Sequence, residues 1–168
     1  MNLFQISGKF EQDGEWSSRD ADFVGYFVKR ENDVIEGYLE EKYPTPFDKI
    51  RYIKGLFIEN ANQLVFMKMC NVSSLFPLAY VFTDIHKEGF WDGFSYHGGF
   101  FAYGSYQGHA RVEIKEVTEE DEKNRLIKQV TEIFSERASR ATGMNRDLMA
   151  DVHSLKDFLD ENSGYCPK

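Results

Sequence analysis

Short runs of alternating apolar and polar residues, separated by turn residues, occupy the first 117 positions of the chain. The clearest run is 109–115, in which polar side chains at odd positions alternate with apolar side chains at even positions. Period-two alternation predicts strands that bury one face. Turn signals such as Asp13-Gly14 and Gln107-Gly108 delimit about nine such runs, which favours an antiparallel meander over alternating βαβ units.

Glycine recurs inside these strand-like runs and is flanked by aromatic and β-branched residues, at Gly25, Gly37, Gly55, Gly93 and Gly104. Glycine weakens a strand, so its repeated placement at mid-strand predicts bends or bulges that curl the sheet. A curled series of short antiparallel strands closes most naturally into a barrel.

The pattern around Asn32-Asp33 predicts a hairpin in which Lys29 faces Glu36. The apolar side chains of this hairpin would then point into the barrel: Val24, Tyr26, Val28, Ile35 and Leu39. Because a slip of one residue moves every side chain to the other face, this orientation depends on the register.

A second hairpin is predicted around Asn60–Gln63, with Leu56 opposite Met67. Its inner face would carry apolar side chains with one lysine in line: Leu56, Ile58, Val65, Met67, Met69 and Lys54. Large aromatic residues would then lie on the outer face: Phe23, Phe27, Tyr38, Phe57 and Phe66. So large an apolar surface is rarely left to solvent, and we expect the C-terminal segment to cover it.

The apolar spacing and the cap residues within 118–168 predict two helices packed on the barrel. Thr118 is the expected N-cap, ahead of acidic residues in the first turn, and Gly143 is the expected stop. Two apolar stripes at helical spacing support these helices: Leu126, Val130, Ile133, Phe134 and Ala138 in the first, and Leu148, Val152, Leu155 and Leu159 in the second, at about 145–161. The expected fold is one α+β, mainly β domain: an antiparallel meander or barrel of eight to nine strands over 1–117, followed by two helices.

Three short motifs accompany this pattern: Gly14-Glu15-Trp16, Thr83-Asp84, and Gly89-Phe90-Trp91-Asp92-Gly93. The first two resemble the Gly-x-Trp signature and part of the second conserved turn of lipocalins, and the third is similar to glycine-tryptophan strands of avidin-like barrels. Over residues 1–117 the chain therefore resembles the calycin-type barrels, which include the fatty-acid-binding proteins. The resemblance implies an up-and-down barrel and does not by itself imply an activity.

Composition narrows the classes of partner. The net charge of −8, with lysine and arginine dispersed among acids, argues against a nucleic-acid partner or an anionic membrane partner. The N-terminus lacks the features of a signal peptide, and Cys70 and Cys166 have no metal or redox spacing. We therefore expect a cytoplasmic protein with two reduced thiols.

No histidine or cysteine spacing is typical of a metal site, and there is no Gly-x-Ser-x-Gly elbow. The sequence therefore predicts no metal and no cofactor; it favours a non-enzymatic protein without deciding the question, and an enzyme is the third candidate class. It favours a ligand-binding barrel, in which Lys54 points inward and could pair with a ligand carboxylate. The alternative is that Lys54 lies at the barrel rim and extends its amine into water. The predicted lining adds large or polar-tipped side chains to that lysine: Tyr26, Tyr52, Met67, Tyr80, Trp91 and Tyr103.

Two functions remain open at this point. One is a binding module that holds a small apolar or weakly anionic molecule in the barrel. The other is a non-enzymatic interaction protein whose barrel is filled by side chains and whose helices or outer aromatic face dock a partner, including a second copy of the chain. Eight-stranded barrels occur in both forms, so the pattern does not choose between them.

Overall fold

The computed structural model of the chain is a closed barrel of eight antiparallel strands followed by a long helix. The strands are β1 (Asn2–Gln12), β2 (Ala21–Lys29), β3 (Val34–Glu41), β4 (Ile50–Ile58), β5 (Gln63–Met69), β6 (Leu78–Ile85), β7 (Phe90–His97) and β8 (Ser105–Glu116), and the helix is α1 (Glu120–Arg140). The structure describes residues 1–12, 21–42, 50–69, 78–85, 89–97, 105–140, 153, 156 and 157. The mainly β, antiparallel fold expected from the sequence is confirmed.

Each strand pairs with its neighbours in sequence, and β8 pairs with β1 to close the barrel. The longer connections all join strands at one end of the barrel, the loop end: 13–20, 42–49, 70–77 and 98–104. The shorter connections join strands at the opposite end, the turn end: 30–33, 59–62 and 86–89. The two ends therefore differ in the length of the connections between their strands.

Glycines lie where neighbouring strands approach closely. A Cβ on Gly37 would lie 2.6 Å from the Cα of Phe27, and a Cβ on Gly55 would lie 2.6 Å from the Cα of Phe66. Both separations are shorter than any that real side chains tolerate, so these positions require glycine for space. The close approach permits the tight coiling that a small closed barrel needs, in agreement with the sequence pattern.

The β2–β3 hairpin differs from the predicted register by one residue. Its connection is a three-residue 3-10 turn, Glu31–Asp33, so Lys29 pairs with Ile35 and not with Glu36. The predicted inner face therefore mixed residues from both faces: Ile35 and Leu39 do lie inside, whereas Val24, Tyr26 and Val28 lie on the outer face.

The β4–β5 hairpin keeps the predicted set of same-face residues but turns that set outward. A 3-10 turn, Glu59–Ala61, pairs Leu56 with Val65 instead of Met67. The predicted inward placement is therefore wrong for Leu56, Ile58, Val65, Met67 and Met69, and the predicted outward placement is wrong for Phe23, Phe27, Phe57 and Phe66. Alternation could not settle the orientation, because the outer face of this sheet is also apolar and buried.

Aromatic side chains fill the interior near the turn end. Phe4 stacks on Phe27 with ring centroids 5.3 Å apart, and Phe57 lies edge-on to Phe4 at 5.3 Å and to Trp91 at 5.7 Å. All four side chains are buried. This half of the barrel is therefore a packed core.

Lys29 closes the turn end. Its Nζ lies 2.7 Å from Glu59 Oε1 and 3.2 Å from Asp33 Oδ1, and it lies 5.4 Å from the centroid of the Phe57 ring. Burial alone would lower the pKa of Lys29, but the hydrogen bonds to Glu59 and Asp33 outweigh burial and raise that pKa. Both carboxylates belong to the short turns, so those turns supply the negative charges that pair with Lys29 at the turn end.

Helix α1 packs on the outer face of β1 to β4. Leu126 and Val130 are buried against Leu3, Val28 and Tyr38, and the Gln129 side-chain amide donates a hydrogen bond to the Tyr38 hydroxyl at 3.1 Å. The predicted first apolar stripe thus faces the barrel, although it covers different residues from those expected.

The N-terminus of α1 is capped one residue later than predicted. The Glu119 carboxylate accepts hydrogen bonds from the backbone N–H groups of Glu122 at 2.6 Å and Asp121 at 3.2 Å, so Glu119 replaces Thr118 as the N-cap. Of the predicted second helix, 145–161, only His153, Lys156 and Asp157 are described, and their backbone is helical. Over the described ranges, no helix has the length and apolarity needed to cross a membrane.

Candidate functional site

The structure separates the residues predicted to line a ligand pocket. Tyr80 and Trp91 lie in the barrel interior. Four others lie on the outer face: Tyr26, Tyr52, Lys54 and Met67. Tyr103 lies outside the described residues.

Lys54 points away from the barrel interior. Its neighbour Ile53 belongs to the interior core, and Lys54 itself pairs with Met67 of the outer face. Its Nζ lies 3.6 Å from Glu36 Oε1. The prediction that Lys54 points inward is therefore wrong, because it rested on the inverted orientation of the β4–β5 hairpin.

Tyr52 supports the helix and does not face the barrel interior. Its ring lies 5.8 Å from the ring of Phe134, edge to face, and burial raises the pKa of the Tyr52 hydroxyl. A neutral, buried phenol at this position is a packing element between β4 and α1.

Tyr26 borders an open groove of about 310 Å³ between β1, β2, β8 and the start of α1. The groove is lined by Gln5, Tyr26, Lys115, Glu116, Val117, Thr118, Glu119 and Glu122. Its carboxylates outnumber its single lysine, and Glu119 is already occupied by the helix N-terminus. This groove therefore suits an anionic ligand poorly.

A buried charged cluster lies inside the barrel at the loop end. It consists of Glu41 at the end of β3, Arg51 at the start of β4 and Lys68 near the end of β5. The side chains of Glu41 and Lys68 are 3% and 2% exposed and form an ion pair, and Arg51 Nε lies 3.3 Å from Glu41 Oε2. We call these three residues the polar cluster.

The polar cluster occupies inner-face positions for a simple geometric reason. Side chains two residues apart on a strand share a face, and the residues two positions from Glu41, Arg51 and Lys68 belong to the interior core: Leu39, Ile53 and Phe66. The cluster is thus the next layer of the interior toward the loop end, after the aromatic and aliphatic layers.

An aromatic wall adjoins the polar cluster. Tyr80 stacks on Phe66 at 5.0 Å with an interplanar angle of 18°, and on Phe82 at 6.3 Å with an angle of 10°. Lys68 Nζ lies 5.3 Å from the centroid of the Tyr80 ring, within cation–π range. Among the described residues, the site therefore combines two cations, one carboxylate and a set of stacked aromatic rings.

The sequence carried a signal for this site that alternation alone did not use. Lys68 stands between Met67 and Met69 in a strand that is otherwise strongly apolar. A charged residue in such a strand marks either an exposed face or a buried charged site, and only the register separates the two. Because the predicted orientation of the β4–β5 hairpin is inverted, the sequence pattern selected Lys54 in place of Lys68.

The chemistry available to the polar cluster is anion recognition. An ammonium group has three N–H donors and a guanidinium has five, and both can donate to the oxygens of a carboxylate. Arg51 and Lys68 together contact one carboxylate, that of Glu41, and the same two cations could contact a ligand carboxylate in its place. Among the described residues, no group of three histidine, cysteine, aspartate or glutamate side chains could hold a metal ion.

Comparison of the chain with protein-family models, with curated proteins and with solved structures gives no significant match. The argument for function therefore comes from the barrel and its interior.

Proposed function

We propose that this protein binds a small molecule with an anionic group and an apolar body at the loop end of its barrel. Lys68 and Arg51 would hold the anionic group, and the Phe66, Tyr80 and Phe82 wall would contact the apolar body. The observation that carries this proposal is the polar cluster, because its Glu41–Lys68 ion pair is buried and adjoins the aromatic and aliphatic residues of the interior core.

Stability alone does not account for the polar cluster. Removing ions from water is costly, and replacing a buried ion pair by well-packed apolar residues is often neutral or stabilising. Buried charges with specific partners are frequent at binding and catalytic sites. The polar cluster also lies at the end of the barrel where the strands are joined by the longer connections, and functional sites on rigid scaffolds are common at such ends.

The eight-stranded antiparallel barrel is compatible with a calycin-like architecture, and that resemblance favours a ligand inside the barrel. The packed core at the turn end favours a compact ligand over a long acyl chain, because Phe4, Phe27, Phe57 and Trp91 occupy the space that a long chain would need. A short carboxylate with a planar apolar body fits these restrictions.

The test combines native mass spectrometry with a matched pair of variants. Protein purified without denaturation should carry extra mass that disappears on denaturation, and titration with benzoate should give saturable binding by calorimetry. Lys68→Met should weaken benzoate binding about tenfold or more, because it removes a buried cation from the anion site. Lys54→Met is the control, since it removes an outer-face lysine and should leave binding unchanged.

Two results would contradict the proposal. One is an apo mass together with no binding of benzoate or octanoate by the wild-type protein. The other is an equal loss of binding in Lys54→Met and Lys68→Met, which would show that the effect comes from net charge and not from the polar cluster.

The packed core near the turn end also supports the second function, a filled barrel that acts as an interaction scaffold. In that case a partner or a second copy would dock on α1 or on the outer face. The same native mass spectrum tests this function, because its subunit count shows whether the chain self-associates when no small molecule is bound.

A further inference from the structure

Glu41 contacts both cations of the polar cluster at once. Its Oε1 pairs with Lys68, and its Oε2 lies 3.3 Å from Arg51 Nε. A ligand carboxylate recognised by the same two cations would need to place its two oxygens in much the same positions. The Glu41 carboxylate and the carboxylate of the proposed ligand therefore compete for the same position beside Lys68 and Arg51.

The backbone at Glu41 is fixed by the sheet, which leaves the side chain as the movable part. Glu41 pairs with Phe23 of β2, and the next residue extends that pairing, because the Lys42 N–H donates to the Asp22 carbonyl at 2.8 Å. A glutamate side chain has three rotatable torsions, so its carboxylate could leave the cations while the strand stays in place.

We propose that Glu41 is a built-in occupant of the anion site and that a ligand carboxylate binds by displacing it from Lys68 and Arg51. This inference rests on the proposed function, since it assigns the regulation of the same site. Glu41 then has two roles. It holds the two cations in place when no ligand is present, and it sets how tightly an anion must bind the cations in order to displace it.

The consequence for affinity follows from population arithmetic. The apparent dissociation constant increases as the fraction of protein with a free site decreases. If Glu41 leaves the cations in about a tenth of the molecules or fewer, the wild-type protein binds about tenfold more weakly than a protein whose site is always free. Removing the Glu41 charge should therefore tighten binding.

The experiment compares benzoate binding by the wild-type protein, Glu41→Gln and Glu36→Gln, measured by calorimetry under identical conditions. Glu36 is a matched control, because it also lies near two cations, with Arg30 Nε at 3.0 Å and Lys54 Nζ at 3.6 Å, but on the outer face. Glu41→Gln should bind benzoate about tenfold more tightly than wild type, and Glu36→Gln should match wild type.

Glu41→Gln removes a carboxylate that contacts the buried Lys68 and the partly buried Arg51, and it is expected to be less stable than wild type. A second measurement covers the case in which it does not stay folded without an anion. Benzoate should then raise its melting temperature, or its yield on refolding, more than it does for wild type. The charge-balanced variant Glu41→Gln/Lys68→Met should fold without an anion and lose the gain in affinity.

The outcomes separate the two proposals. Weaker binding by Glu41→Gln than by wild type would overturn the inference and show that Glu41 orients the cations, while the binding function would stand. Equal binding by the two proteins would overturn it as well. Absence of binding by both folded proteins would overturn the inference and the proposed function together.

Discussion

Gly37 and Gly55 show at the scale of single residues why this barrel can be narrow. Each lies on an inner-face position where the neighbouring strand carries a phenylalanine, and each leaves no room for a methyl group. The missing side chains let the strands coil closely and leave interior volume for large rings.

Gly37→Ala should therefore lower the free energy of unfolding by about 3 kcal/mol, because the added Cβ meets the backbone of Phe27 and the strands must move apart. Urea unfolding checks this value. Gly89→Ala is an informative control, since nothing lies within 4 Å of its Cβ position but its φ of 89° disfavours a side chain. It should lose only about 1 kcal/mol. Equal losses would show that space at Gly37 is not the cause.

The contrast between Lys54 and Lys68 shows what single residues in the sequence could and could not reveal. The sequence predicts that one lysine lies in the barrel interior, and the structure has Lys68 there, within hydrogen-bonding distance of Glu41. The choice between lysines depended on orientation, which is a property of paired strands. Tyr80 and Trp91 lie in the interior core, and their contact with a ligand stays a prediction.

At the scale of elements, α1 covers part of the outer face of β1 to β4. Leu3, Val28 and Tyr38 on the outer face of β1 to β3 are buried because Leu126 and Val130 pack on them. Tyr52 of β4 packs on Phe134. A second outer apolar cluster, Leu56, Val65, Met67, Ala79 and Val81, is also buried. The barrel thus has an apolar interior and two apolar outer regions.

Leu126→Ala should destabilise the protein by about 3 kcal/mol, because it leaves a cavity between α1 and the outer face of the barrel. Lys128→Ala, on the exposed side of the same helix, should change the free energy of unfolding by less than about 0.5 kcal/mol. Thermal unfolding followed by circular dichroism measures both. A loss in Lys128→Ala as large as that in Leu126→Ala would contradict the packing described for α1.

Apolar residues are buried on both the inner and the outer face of the barrel, and this explains which elements could be predicted from the sequence. Strands, the first helix and the alternation of 109–115 follow from local periodicity, and all three are confirmed. The facing of β2 to β5 does not follow from it, because both faces are apolar and the hydrophobic pattern fits either orientation. The turn at Glu31–Asp33 is one residue longer than the predicted two-residue turn and shifts the β2–β3 register by one residue. The β4–β5 pairing differs from the predicted one by two residues, which keeps the same side chains on one face, so the facing of this hairpin depends on the packing of Phe57 and Phe66 in the interior core.

At the scale of the whole molecule, stability is coupled to alkaline pH through Tyr38, Tyr52 and Lys29 among the described residues. Burial raises the pKa of Tyr38 above its ordinary 10.0, and burial does the same for Tyr52. For Lys29, burial lowers the pKa, but hydrogen bonds to Glu59 and Asp33 raise it overall above 10.5. In each case the folded state keeps its proton more tightly than the unfolded state.

The free energy of unfolding should therefore be steady below about pH 10 and fall as the pH rises further, because the unfolded chain releases these protons first. Urea unfolding at about pH 8 and about pH 11 measures the change. Tyr52→Phe should reduce the fall, since phenylalanine has no proton to release. A free energy that is unchanged between the two pH values would contradict the assigned shifts.

The pairing of β8 with β1 has a consequence for biosynthesis. The seam joins the first strand of the chain to the last, from Phe4 with Glu116 to Gln12 with Gly108. Contacts between such distant parts of a chain form late and slowly. Until β8 has left the ribosome, the nascent sheet carries two open edges, β1 and β7, which invite pairing with other chains. Folding of this protein should therefore depend most on chaperones between the synthesis of β7 and the pairing of β8 with β1.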